Sequence, residues 1–116
     1  MPPTDDYLPL FVYGSLRSGD RAAGLVDGDI ITREPAVARG REVDTGVWYP
    51  GVVFGSQGDI PGELLWLDQN AFPDVLERLD AYEGVPSLFR RVRISVTTES
   101  GPTEAYAYEW NAAAQD

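Results

Sequence analysis

One stretch of this chain has a clear helical period, and most of the rest is punctuated like strand. Phe72, Val75, Leu76, Leu79 and Tyr82 recur at the three- and four-residue spacing that places apolar side chains on one helix face. The spacing predicts a helix from about Asn70 to Tyr82, with these five residues as its buried stripe. Asn70 or Asp68 can cap it, Pro73 is tolerated in the first turn, and Asp74 suits the positive end of the dipole. Gly84 is well placed as the stop.

Around that helix the pattern has a period of two or consists of short apolar runs closed by Gly, Pro, Ser or Asp. Leu8 to Tyr13 reads as a first strand, and Asp20 to Val26 as a short helix weakened by Gly24. Ile30 to Val43 reads as one or two strands. Val52 to Phe54 reads as a short strand ended by Gly55–Asp59. Ile60 to Leu67 follows as a separate strand, with Pro61 at its start or on an edge. Val92, Ile94 and Val96 alternate with Arg91, Arg93 and Ser95. Ser100-Gly101-Pro102 turns the chain, and Thr103 to Trp110 returns with Tyr106, Tyr108 and Trp110 on one face. Many strands with one good helix and few βαβ units predict an α+β fold. Its sheet is expected to be mixed, mostly antiparallel and partly closed into a barrel. With 116 residues and no internal repeat, the reading is one domain over residues 1–116, with 1–6 and 111–116 as loose tails.

Composition removes whole classes of chemistry. The chain has no His and no Cys, and all nine basic residues are arginine. A Ser-His-Asp triad, thiol catalysis, zinc held by Cys or His, a Schiff-base lysine and a lysine-bearing P-loop are therefore excluded. No tight Asp/Glu cluster suggests a metal, so no metal and no cofactor is expected. The formal charge of −10 argues against nucleic acid or an anionic membrane as partner. No apolar run reaches the length of a membrane span, no signal-peptide plan is present, and the lack of cysteine fits the cytoplasm. An acidic, lysine-free chain speaks to habitat, a saline cytoplasm or a GC-rich genome, rather than to chemistry. A catalyst made from these residues must rely on carboxylates, tyrosines, arginines, hydroxyls or backbone dipoles.

Two places carry candidate chemistry. The run Leu10 to Tyr13 ends at Gly14 and passes into Ser15, Leu16, Arg17, Ser18 and Gly19. This is either an ordinary strand-to-loop turn or a backbone N–H cradle for a carboxylate or phosphate. Glu83 follows Leu79 by four residues and Leu76 by seven, so it projects from the apolar helix face at the negative end of the dipole. Desolvation and dipole would both raise its pKa, as a general base working near neutrality requires. A frayed helix end with Glu83 in water is the other reading, and on pattern alone the commoner one. Glu63, behind Gly62, is a second candidate acid or base; an exposed strand position is its alternative. Arg90, Arg91 and Arg93 suit either an anion clamp or a solvated strand face.

Taken together, these stretches resemble the gamma-glutamylcyclotransferase-like proteins. Tyr13-Gly14-Ser15-Leu16-Arg17, Tyr49-Pro50-Gly51, Gly62-Glu63-Leu64, Leu79-Asp80-Ala81-Tyr82-Glu83-Gly84, Phe89-Arg90-Arg91 and Ala105-Tyr106-Ala107-Tyr108 occur in the family's order and cover nearly all of Leu10 to Trp110. The resemblance implies a small mixed α/β domain with a partly closed barrel, in which Tyr13, Gly14, Ser15 and Leu16 hold a gamma-glutamyl group. It implies Glu83 as catalytic acid/base, Tyr108 beside the pocket and a small gamma-glutamyl substrate as the partner. Phe89 stands where relatives often carry tyrosine. A non-catalytic module of the same fold that binds a small anion is the alternative reading.

Overall fold

The computed structural model describes residues 7–13, 27–43, 51–85 and 87–111. Five strands and one helix occupy these stretches. They are β1 (Leu10–Val12), β2 (Ile30–Val43), β3 (Gly51–Leu67), α1 (Phe72–Glu83), β4 (Phe89–Thr98) and β5 (Gly101–Trp110), with a single 3-10 turn at Asp27–Asp29. The strands close into a barrel in the order β1-β3-β2-β4-β5. All pairings are antiparallel except the closing one, where β1 runs parallel to β5 at Leu10 and Tyr106. The mixed, mostly antiparallel barrel with one main helix is the architecture expected from the sequence, and its closure is complete.

Strand alternation sorts the apolar residues into two cores. Phe11, Ala36, Ala38, Val52, Ile60, Leu64, Val96, Ala105 and Ala107 pack together, and because all five strands contribute, this cluster is the barrel interior. The four alanines suit so narrow a barrel, which has little room for large side chains from every strand. Leu10, Val12, Leu65, Leu67, Tyr106, Tyr108 and Trp110 point the other way and meet Phe72, Val75, Leu76 and Leu79 of α1. Burying those four helical side chains stabilises the layer by roughly 1.5–3 kcal/mol each.

Three sequence expectations are corrected here. The segments read as separate strands within Gly51–Leu67 form one 17-residue strand. Its register against β2 slips, so that Arg39 faces Asp59 while the next residue, Gly40, faces Phe54. Gly55 to Gly58 are thus extra residues bulged from a continuous strand, with Gly58 at φ +56°, and their turn-rich composition reads as a terminator. Pro61 lies inside this strand opposite Val37, but β1 spans only Glu63 to Leu65, so among the described residues Pro61 has a ladder neighbour on one side alone. Second, no side chain caps the first helical turn. Ala71 is the N-cap residue, and Asp68 instead accepts the Asn70 and Ala71 amides at 2.8 and 3.2 Å. Third, Tyr82 is 47% exposed. At 100° per residue, Glu83 lies closer than Tyr82 to the line through Leu76, so the inward position of the last turn goes to the glutamate.

The remaining strand residues fall as the alternation implies. Ile30 to Val43 is one strand. Phe89 is buried with its ring edge-on to Trp110 at 5.4 Å, so it serves the core. The segment read as a helix over Asp20 to Val26 lies outside the described residues.

Candidate active site

Glu83 is held by a well-formed helix end. Gly84 adopts the left-handed conformation (φ 70°, ψ 40°), its N–H donates to the Ala81 carbonyl at 3.3 Å, and the Val85 N–H reaches back to the Asp80 carbonyl at 3.0 Å. This pair of bonds is the Schellman arrangement, which satisfies carbonyls that a frayed end would leave to water. Val85 then packs against the helix-side core. The frayed reading of this terminus is therefore overturned, and the Glu83 backbone is fixed where its side chain faces inward. The carboxyl is half-buried, and desolvation pushes its pKa up to about 7.

Two tyrosines lie within electrostatic reach of that carboxyl, one from each parallel strand. Tyr13, just past β1, donates its phenolic proton to the backbone carbonyl of Tyr108. Burial most of all, then the Glu83 and Glu109 carboxylates, raise the Tyr13 pKa far above its ordinary value, while a backbone hydrogen bond from Val52 acts in the opposite direction. Tyr108 donates its proton to Asp80 Oδ1 at 2.7 Å. Burial, then Asp80, raises its pKa likewise, with Glu83 adding to the rise and Arg91 opposing it. Arg91 Nη1 lies 3.5 Å from Asp80 Oδ2, and its guanidinium sits over the Tyr106 ring, 5.4 Å from the centroid. Both phenols are therefore neutral donors, and each has its proton placed.

A second carboxylate lies at the same end of the barrel. Glu109 is 6% exposed and shares its strand face with Ala105 and Ala107. Its Oε1 accepts from Arg90 Nε and Nη2 at 2.8 and 2.6 Å, and its Oε2 accepts the Phe54 N–H at 2.9 Å. Phe54 is the last residue before the β3 bulge, and its ring meets Tyr13 edge-on at 6.0 Å. Glu109 thus ties β5 to the bulged strand behind Tyr13.

The other sequence candidates have structural duties. Glu63 faces Arg33 at 3.5 Å across the β2–β3 ladder. Gly62 exists for packing, because a Cβ there would stand 2.2 Å from the Val12 carbonyl oxygen and 2.7 Å from Phe11 Cζ. Arg90, Arg91 and Arg93 pair with Glu109, Asp80 and Glu104 in turn, rather than converging as one clamp. Gly14, Ser15 and Leu16 lie outside the described residues. Sequence reasoning singled out Glu83, Tyr13 and Tyr108 but gave no role to Asp80 or Glu109. The signal for Glu109 was its phase, since it follows the buried Ala105 and Ala107 at two-residue spacing on the same strand face. For Asp80 no local signal existed, because one turn before Glu83 it looks like any exposed helical acid.

Comparisons with known proteins bear on the family and the fold. A family model described as gamma-glutamyl cyclotransferase, AIG2-like, matches residues 10–116. The chain is 30% identical over 106 residues to the gamma-L-glutamyl-butirosin B gamma-glutamyl cyclotransferase of Niallia circulans, a match covering 88% of this chain and 66% of that protein. The chain thus spans just under two thirds of that relative's length. Among solved structures, YkqA of Bacillus subtilis superimposes with a TM-score of 0.70 at 27% identity, over 90% of this chain and 36% of that one. An AIG2-like protein of Mus musculus gives 0.67 at 19% identity, over 88% and 76% of the two chains, a likeness of fold.

Proposed function

We propose that this chain, which belongs to the AIG2-like gamma-glutamyl cyclotransferase family, is itself a gamma-glutamyl cyclotransferase with Glu83 as its acid/base. The observation that carries the reading is Glu83 itself. It is a carboxyl on a capped helix end, half-buried, with a pKa of about 7, within electrostatic reach of two phenols. A group half-ionised at neutrality can both take and return a proton.

The reaction suits a chain without His, Cys or Lys. A gamma-glutamyl amide carries its own nucleophile, the alpha-amine, which closes a five-membered lactam on the gamma-carbonyl. The new C–N bond forms as the bond to the leaving nitrogen breaks, and the products are 5-oxoproline and a free amine or amino acid. Folding the substrate so that amine and carbonyl meet supplies much of the acceleration, since well-oriented intramolecular attack is worth roughly 7–11 kcal/mol. Glu83 takes the proton that the attacking nitrogen sheds and returns it to the leaving nitrogen. The Tyr108 oxygen, whose O–H donates to Asp80, offers its lone pairs to the alpha-ammonium.

The loop from Tyr13 through Gly14, Ser15 and Leu16 takes its part from the family resemblance. Its backbone N–H groups would grip the substrate carboxylate or stabilise the developing oxyanion. Tyr13 contributes by fixing the start of that loop against β5. No step calls for a cofactor, and the cysteine-free chain suits a reducing cytoplasm. The Niallia relative's name places a gamma-L-glutamyl group on butirosin B, and that end of the substrate is the part this site is built to hold.

The test is 5-oxoproline release by the purified protein from a panel of gamma-glutamyl amino acids and amines, with Glu83→Gln in parallel. Release abolished in the variant supports the reading. Absence of release from every member by folded protein defeats it and leaves a module that binds gamma-glutamyl compounds or another small anion.

A further inference from the structure

The two tyrosines within electrostatic reach of Glu83 each have one proton, and each proton is given elsewhere. Tyr13 gives its proton to the Tyr108 carbonyl, which can only accept. Tyr108 gives its proton to Asp80 Oδ1 at 2.7 Å. An ionised carboxylate also only accepts, so the direction of this bond is set by chemistry. Arg91 Nη1 lies 3.5 Å from the other Asp80 oxygen, so the carboxylate is held between the guanidinium and the phenol. Asp80 stands one turn before Glu83 on the same helix, so α1 carries both the acid that receives the Tyr108 proton and the acid left without it.

We infer that Asp80 is a positioning residue that holds the Tyr108 proton away from Glu83, so that Glu83 remains a base. The inference rests on the reading of Glu83 as proton carrier. A phenol that donated to Glu83 would stabilise its anion and weaken it as a base, because hydrogen bonds to the charged form favour that form. Around Glu83 stand Tyr13 from the end of β1 and Tyr108 from β5, which both feel its charge, and Asp80 three residues earlier on α1, with Arg91 from β4 paired to Asp80 and Glu109 from β5 near Tyr13. Tyr108 is the one whose proton a single side chain directs.

Asp80→Asn reverses that bond. The Arg91 guanidinium attracts the amide oxygen, which turns the amide NH2 toward the phenol, and the phenolic proton is released toward Glu83. The probe is the titration midpoint of the Glu83 side-chain carboxyl, followed by carbon-13 NMR without substrate, so that it is read whether or not turnover is ever found. In Asp80→Asn the midpoint is expected to fall by about one unit. Loss of the Asp80 charge alone would also lower it. The double variant Asp80→Asn/Tyr108→Phe separates the two causes, because it lacks the hydroxyl and is expected to return the midpoint to near that of Tyr108→Phe. An unmoved midpoint in Asp80→Asn, or the same fall with and without the hydroxyl, overturns the inference. Tyr108→Phe alone gives an independent check should Asp80→Asn not fold. Its midpoint is expected to stay near 7, and a rise of a unit would mean that Tyr108 had been donating to Glu83 and would also overturn it. Failure of every gamma-glutamyl substrate to react, with these midpoints moving as stated, would remove the proposed reaction and leave the proton arrangement standing.

Discussion

The hydroxyl of Tyr13 is bonded to the backbone carbonyl of Tyr108, across the seam where β1 and β5 run parallel. That seam is short. Among the described residues, its only register pair is Leu10 with Tyr106, supported by the Tyr106 N–H on the Pro9 carbonyl at 3.0 Å. A side chain therefore fastens the end of the barrel where the ladder has stopped, and it does so beside Glu83.

Tyr13→Phe removes that fastener and leaves the buried Tyr108 carbonyl short of a donor. The expected cost is about 1–2 kcal/mol of stability, within the range for a lost buried hydrogen bond. Urea denaturation of the variant against the unaltered protein measures it. Unchanged stability would mean the phenol is not part of the seam.

Glu83 gives stability a pH dependence of known sign. Its pKa is raised on folding from 4.5 to about 7, so the folded state favours the protonated form. That contribution is complete below about pH 4.5 and is lost as pH rises through 7. Glu83→Gln cannot lose it. The variant should therefore gain relative stability between pH 4.5 and about 7, with no further gain above. The whole pKa difference corresponds to roughly 3 kcal/mol, and solvent screening of a half-buried group reduces the expectation to roughly 1–2 kcal/mol. Thermal melts of both proteins from pH 4 to 9 test this, and a constant difference in Tm would refute it. In active protein the same ionisation should appear as an acid limb in kcat/KM near pH 7.

Glu109→Ala should destabilise by about 1–3 kcal/mol, because it leaves the partly buried Phe54 N–H without its carboxylate acceptor and removes the partner of Arg90. Arg90 is 58% exposed at its side chain and can turn to water, so the orphaned amide accounts for most of the loss. Amide hydrogen exchange at Phe54, faster in the variant, distinguishes this cause from general loosening.

The neighbouring pair Gly62 and Glu63 should behave in opposite ways. Gly62→Ala forces a Cβ to within 2.2 Å of the Val12 carbonyl oxygen, and β1 must move off β3. Overpacking of this kind costs roughly 1–3 kcal/mol or more. Glu63→Gln keeps the side chain's size and weakens its 3.5 Å ion pair with Arg33, and should change stability by about 1 kcal/mol or less. Equilibrium denaturation of the two variants side by side would expose an error in either assignment.

What the sequence determined by itself was local or compositional. Helical spacing from Phe72 to Leu79 and the left-handed glycine at position 84 set α1 to within two residues, because both signals act within a turn of chain. Period-two alternation set the β4–β5 hairpin and the face shared by Tyr106, Tyr108 and Trp110. The missing His, Cys and Lys restricted the chemistry to carboxylates, tyrosines, arginines, hydroxyls and backbone dipoles before any fold was known. Strand continuity was harder to read. The glycine-rich bulge in β3 resembles a terminator, and only β2 running alongside shows that the strand continues.

The state of Glu83 was decided by the tertiary structure. On pattern it could face water or the core, and the closed helix end with the packing of Val85 selected the core. The bonds that build the site join residues 28, 55 and 95 positions apart: Tyr108 to Asp80, Phe54 to Glu109 and Tyr13 to Tyr108. No periodicity extends over such separations. A hydrogen bond needs its two atoms placed to within a few tenths of an ångström, and only closure of the barrel supplies that placement.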